Sequence, residues 1–162
     1  MPDDHGATAL DELRDWGARM RQRTCRQFEL AGSTPAGWHV LLPDGDFGFL
    51  DVRAPATAED HARLVQEARA YMRDMRARAC LFSMEHPLAD GRPALFAQFE
   101  AVDARGRRER ALHLHLVVTT PEGRHVDVRR EFVPAGGRDA ELRRFGMFPD
   151  LLPEPPSPLR IL

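Results

Sequence analysis

The chain has no lysine and no asparagine, one isoleucine, one tyrosine and two cysteines among its 162 residues. Codons for Lys, Asn, Ile and Tyr are AT-rich, so their scarcity points to a GC-rich, bacterial genome. The chemical consequences hold whatever the cause. Without a side-chain amine there is no Schiff base, and the lysine-dependent forms of pyridoxal-phosphate, P-loop and protein-kinase catalysis are excluded. Arginine fills all 23 Lys+Arg positions, and it stays protonated, so it cannot act as a base. Cys25 and Cys80 form no CxxC pair and cannot build a zinc site alone, so reduced thiols are expected. The serines, Ser33, Ser83 and Ser157, lie outside any G-x-S-x-G motif. No apolar run approaches the roughly 18 residues of a transmembrane helix. Met1-Pro2-Asp3-Asp4-His5 is acidic and lacks the apolar core of a signal peptide. The expectation is a cytoplasmic protein with no membrane partner.

What the chain does contain is ordinary for a globular domain. Hydrophobic residues make up 43% and charged residues 30%, with a net charge of −2, so no polybasic or polyacidic tail dictates a partner. Leu10, Leu13, Trp16 and Met20 recur at helical spacing and predict a helix over 8–24, although Gly17 weakens it. A short strand is expected at Arg26–Leu30. Leu42-Pro43-Asp44-Gly45-Asp46 reads as a three-residue hairpin loop that pairs Trp38 with Leu50 and Leu41 with Phe47. Residues 57–79 predict the longest helix, with Thr57 and Asp60 as its capping pair and Val65, Ala68, Met72, Met75 and Ala79 as its apolar stripe. Cys80–Met84 suits a strand or the exit from that helix. Ala94–Val102 is apolar in both strand registers, which leaves its inward face open.

A second hairpin closes through Thr120-Pro121-Glu122-Gly123-Arg124. Read as another three-residue loop, it sets Thr120 opposite Arg124, Val118 opposite Val126 and Leu112 opposite Phe132. The other face of that ribbon then carries His113 opposite Glu131, His115 opposite Arg129, and Val117 opposite Asp127. A short helix over 138–145 follows, ended by Gly146. The fold expected is α+β: a single antiparallel hairpin sheet with helices packed on one face, in the order α-β-β-β-α-β-β-β-α. Residues 1–148 form one domain, and 149–162 a proline-rich strap or tail. In element order alone this resembles the class I type III secretion chaperones, and more loosely the NTF2-like and PsbP/Mog1-like folds, with no residue motif shared.

Two groups of residues stand out as sites. His113 and His115, alternating on one strand face, have metal-ligand spacing with Glu131 as a third donor, although Arg129 on that face opposes a cation. The expectation is no cofactor, with a divalent transition metal as the alternative. Arg105, Arg107 and Arg108 crowd a hairpin tip, and Leu151, Leu152, Leu159 and Ile161 give the tail apolar anchors. Both sets suit contact with another protein or a second copy, and the absence of basic excess argues against nucleic acid. Acid or base work by Glu100 or Asp51 in an apolar pocket is a further option. The reading that follows is a non-enzymatic binding protein: an adaptor, a secretion-chaperone-like protein or an immunity-type inhibitor. A small metal-assisted enzyme using the His-x-His pair is the alternative. A small-ligand carrier with a cavity between long helix and sheet is a further one.

Overall fold

The computed structural model describes residues 5–87, 91–132 and 148–155. Helix α1 (His5–Ala31) is followed by strands β1 (Gly37–Leu41) and β2 (Phe47–Asp51). Helix α2 (Ala58–Asp74) comes next, then β3 (Ala79–Pro87), β4 (Pro93–Val102), β5 (Arg108–Thr120) and β6 (Gly123–Phe132). The six strands form one antiparallel sheet in the order β2-β1-β3-β4-β5-β6. The protein is therefore mixed α+β with a single antiparallel sheet. None of the described helices is long and apolar enough to cross a membrane.

The element order departs from the expected one at its first strand. Residues 26–30 continue α1 because the buried stripe runs on past Leu13, Trp16 and Met20 to Thr24 and Phe28, at helical spacing. The helix stops where Gly32, at φ 78°, donates its N–H to the Phe28 carbonyl at 2.7 Å. The expected helix over 138–145 falls outside the described residues.

The helices also lie on opposite faces of the sheet, where one shared face was expected. Alternation along β3 accounts for this. Cys80, Phe82 and Met84 pack with Leu64, Val65, Ala68 and Met72 of α2, whereas Ala79 and Leu81 pack with Leu13, Trp16 and Met20 of α1. On β4, Phe96 and Val102 look toward α2 while Leu95, Ala97 and Phe99 look toward α1. A strand apolar in both registers is one covered on both faces.

Two details fix how the layers meet. Thr57 caps α2 by accepting the Asp60 N–H at 3.1 Å, as its sequence predicts. Gly17 lies where α1 presses on the sheet: a Cβ there would meet the Phe99 ring at 2.6 Å. The residue that lowers helix propensity is thus the one that lets the helix approach. Gly17→Ala is expected to destabilise the protein by about 1–3 kcal/mol through overpacking, despite alanine's better propensity. Urea unfolding checks this, and a stabilised variant would contradict it.

Candidate functional site

The residues that carry polar chemistry sort onto the two faces of the sheet. On the α2 face, cross-strand rows set Gln98 of β4 between Phe82 and Leu112, and Glu100 between Cys80 and Arg110. Both polar side chains are buried, Glu100 to 2% exposure. Buried polar groups demand partners, and here the partner is the segment Phe148–Leu152. Gln98 donates Nε2–H to the Phe148 carbonyl at 2.9 Å and accepts the Phe148 N–H at 3.0 Å. Glu100 accepts the N–H groups of Leu151 and Leu152, each at 2.8 Å. Arg108 binds Glu100 at 2.6 Å and donates to the Leu152 carbonyl at 3.0 Å. Arg110 donates to the Phe148 carbonyl, and Arg69 to that of Asp150 at 2.9 Å. The Asp150 carboxylate faces Arg110 at 3.3 Å and Arg108 at 3.5 Å. The Phe148 ring fills a box of Trp38, Phe82 and His61, with centroids 4.9, 4.8 and 5.1 Å away.

This placement revises the expected partner-binding set. Leu151 and Leu152 are buried in the protein's own core rather than offered to a partner. Arg108 turns inward to Glu100. Arg107 pairs with Asp103 at 2.7 Å, and Asp103 also accepts the backbone N–H groups of Arg105 and Arg107, each at 2.9 Å. Burial pushes the Asp103 carboxyl upward, but these bonds from Arg107 and Arg105 prevail and hold it below its ordinary value. The tip is a self-closed turn around one carboxylate. Leu159 and Ile161 lie outside the described residues.

On the α1 face, His113 and His115 share one side of β5, as alternation predicts, with rings stacked 6.3 Å apart. They face the helix. Arg21 of α1 meets His113 Nδ1. A cleft of about 480 Å³ beside them is lined by Arg14, Gly17, Arg21, Phe99 and His113 among others. A second, of about 470 Å³, includes Arg21, Cys25, Glu29 and His115. Both open under α1. The space between α2 and the sheet holds Trp38, Phe82, Phe148 and Leu151.

The expected cross-strand partners shift. Thr120 pairs with Gly123 and Val117 with Val126, a register one residue from the predicted one. The Thr120 hydroxyl accepts the Glu122 N–H at 3.3 Å and closes the corner over two residues. Val126 therefore joins Phe28, Cys25, Leu95 and Val117 under α1, and Val118 is left exposed. A bulge between His115 and Leu116 then resets the ladder, so that Glu131 stands opposite His115 instead of His113. The side chains of Arg129 and Glu131 are outside the described set. Among the described residues, no three His, Cys, Asp or Glu side chains are grouped to hold a metal.

The cysteines and Ser83 are enclosed. Burial pushes the Cys25 thiol up to about 11 and the Cys80 thiol well above its ordinary value, so neither is a poised nucleophile. Ser83 is buried and Asp51 is exposed on β2. Compared with known protein families, with curated proteins and with solved structures, the chain matches none.

Glu100→Ala would leave Arg108 without its buried carboxylate and two strap N–H groups unsatisfied. A loss of about 3–5 kcal/mol in denaturant unfolding is expected, and a loss below 1 kcal/mol would contradict the role given to Glu100. The imidazole of His113 is pushed down to about 4 by burial, then by Arg21 and His115. The unfolded ring takes up a proton below its ordinary 6.5, while the folded ring stays neutral until about 4. Stability should therefore fall as pH drops through that interval and level off below it. His113→Gln should flatten the decline, and unfolding curves at pH 7, 5.5 and 4 check the sign.

Proposed function

We propose that the protein is a non-enzymatic binding protein that offers the free edge of its sheet to an extended segment of another protein. The observation that carries this is β2. Among the described residues it is the terminal strand of the sheet, and it shows Phe47 at 47% and Phe49 at 42% exposure. Proteins ordinarily blunt such edges with charge or cover. At the far edge, the β6 backbone N–H of Val126 is taken by Glu29 of α1 at 3.1 Å. Along β2 the aromatics stay accessible, Phe47 under the Arg23 guanidinium and Phe49 edge-on to His39. Aromatic side chains on an open strand suit strand addition, in which main-chain bonds give affinity and alternate side chains give specificity. Exposed Asp44, Asp46 and Asp51 flank the strand. Two copies meeting edge to edge would bring these acids together, so a basic partner segment fits better than a second copy.

The test is isolation from native lysate. A stoichiometric protein partner should accompany the wild type and be lost, by tenfold or more in affinity, from a Phe47→Ser, Phe49→Ser variant with an unchanged melting temperature. Recovery of the wild type only as a lone monomer would contradict the reading. The rival, a metal-assisted enzyme, draws on His113 and His115 facing one way with Glu131 opposite His115. The Arg21 guanidinium at His113 opposes a cation there. A stoichiometric transition metal that disappears in the His113→Ala, His115→Ala variant would replace the binding reading with this one.

A further inference from the structure

We infer that the open edge of β2 selects an antiparallel strand with an aromatic residue opposite Gly48, in the pattern basic–x–aliphatic–aromatic–aliphatic. This rests on the reading of that edge as a place of strand addition, and it names the segment taken.

The hairpin decides which backbone groups the edge offers. Leu42 donates its N–H to the Asp46 carbonyl at 2.8 Å, and Val52 donates to the Ala36 carbonyl at 3.0 Å. Bonded pairs recur at every second residue of an antiparallel ladder, so Val40 with Gly48 and Trp38 with Leu50 are the bonded pairs between those two. The N–H and C=O groups of Phe47, Phe49 and Asp51 therefore point away from β1, toward the open side. An incoming strand bonds to these. Its residue opposite Gly48 then falls at a non-bonded position, where Cα atoms come within about 4.5 Å and side chains lie closest.

Glycine at that position is the informative choice. Inside a strand it forgoes packing and loses more freedom on folding, and it often marks a bulge or the close approach of another group. The other glycines with described surroundings have reasons within the chain. Gly32, Gly45, Gly91, Gly106 and Gly123 take positive φ, and a Cβ on Gly17 or Gly37 would strike the Phe99 ring or the Leu50 carbonyl. Gly48 has neither reason. Its pairing with β1 is regular and its φ is not positive. Among the described residues, a Cβ there would come within 4 Å of one atom, the Tyr71 hydroxyl oxygen at 3.8 Å, which is an ordinary contact. A bare backbone with a phenol beside it suits a flat ring laid across it, as aromatic residues cover edge glycines.

The remaining positions follow from the faces. Phe47, Phe49 and Asp51 align through Leu41, His39 and Gly37 with Ala79, Leu81 and Ser83, on the α1 side. Aliphatic β-branched residues opposite the two phenylalanines make favourable cross-strand pairs, and a lysine or arginine opposite Asp51 meets its carboxylate. Leu50 packs against the α2-side core and leaves its opposite position undemanding.

The experiment uses the full chain and two fluorescein-labelled peptides: Thr-Lys-Thr-Val-Trp-Val-Thr, and the same peptide with alanine in place of tryptophan. Fluorescence anisotropy should show the tryptophan peptide saturating the wild type and binding about fivefold or more tighter than the alanine peptide. Hydrogen exchange should slow at the Phe47 and Phe49 amides when it binds. Gly48→Val, whose Cβ has room, should keep or raise the melting temperature and abolish the preference for tryptophan. If valine disturbs folding, Gly48→Ala is judged by the same loss of preference. A preference undiminished in the variant would overturn the proposal. Equal binding of both peptides to the wild type, with both lost from the Phe47→Ser, Phe49→Ser chain, would overturn it too while leaving strand addition standing. No saturable binding of either peptide would also overturn it, and recovery of the wild type from lysate as a lone monomer would remove the strand-addition reading beneath it. A wild-type dimer that is lost in the Phe47→Ser, Phe49→Ser chain would assign the edge to a second copy and likewise overturn it.

Discussion

A carboxylate in the middle of a sheet is the constraint around which this protein is organised. Glu100 stands on a central strand, in a row with Cys80 on one side and Arg110 on the other. Burying it is tolerable only because Arg108 and two backbone amides of the C-terminal segment answer it. Gln98, two residues earlier and on the same face, repeats the demand and is answered by the Phe148 backbone. Together they oblige the chain to return, some fifty residues after β4, and lie across its own sheet. Once there, the strap delivers Phe148, Leu151 and Leu152 to the core that α2 begins. The aromatic box, the inward turn of Arg108 and the burial of the leucine pair all follow from that return.

The two faces of the sheet thus have different characters. The α2 face is closed by long-range main-chain bonds and apolar packing. The α1 face is closed by a helix that touches down through Leu13, Trp16, Met20 and Phe28 and leaves clefts between them, where Arg21 and the imidazoles meet. Arginine serves in place of lysine throughout. Arg14 grips Glu109 through two nitrogens at 2.7 Å, and Arg124 ties Glu85, the Gly32 carbonyl and the Phe28 ring together. These planar, forked contacts join α1 to the strands in a way an ammonium would not reproduce. With the interior committed in this way, Phe47 and Phe49 of β2 stay exposed at the edge of the sheet.

Local grammar made much of this legible. Trp38 opposite Leu50 and Leu41 opposite Phe47 follow from Pro-Asp-Gly, because the short Asp44 carboxylate reaches the Asp46 N–H at 3.0 Å and Gly45 takes φ 89°. The capped start of α2 was readable for the same reason. The later Pro-Glu-Gly corner looks alike yet closes differently. Glutamate is too long for that local bond, the Thr120 hydroxyl takes over, and the register moves by one residue. Residues 26–30 alternate as a strand would, but Phe28 completes a helical stripe that only tertiary burial reveals. Gln98 and Glu100 gave no sign of their role. Their partners lie about fifty positions away, and nothing in spacing along the chain connects them. The one clue was a pair of polar residues on a strand otherwise apolar in both registers.

Hydrogen exchange at the Leu151 and Leu152 amides tests the central claim most directly. If Glu100 holds these two N–H groups inside the sheet, both exchange far more slowly than in an unstructured peptide, and Glu100→Gln speeds the two together. Exchange at the rate of a free tail in the native protein would contradict the account.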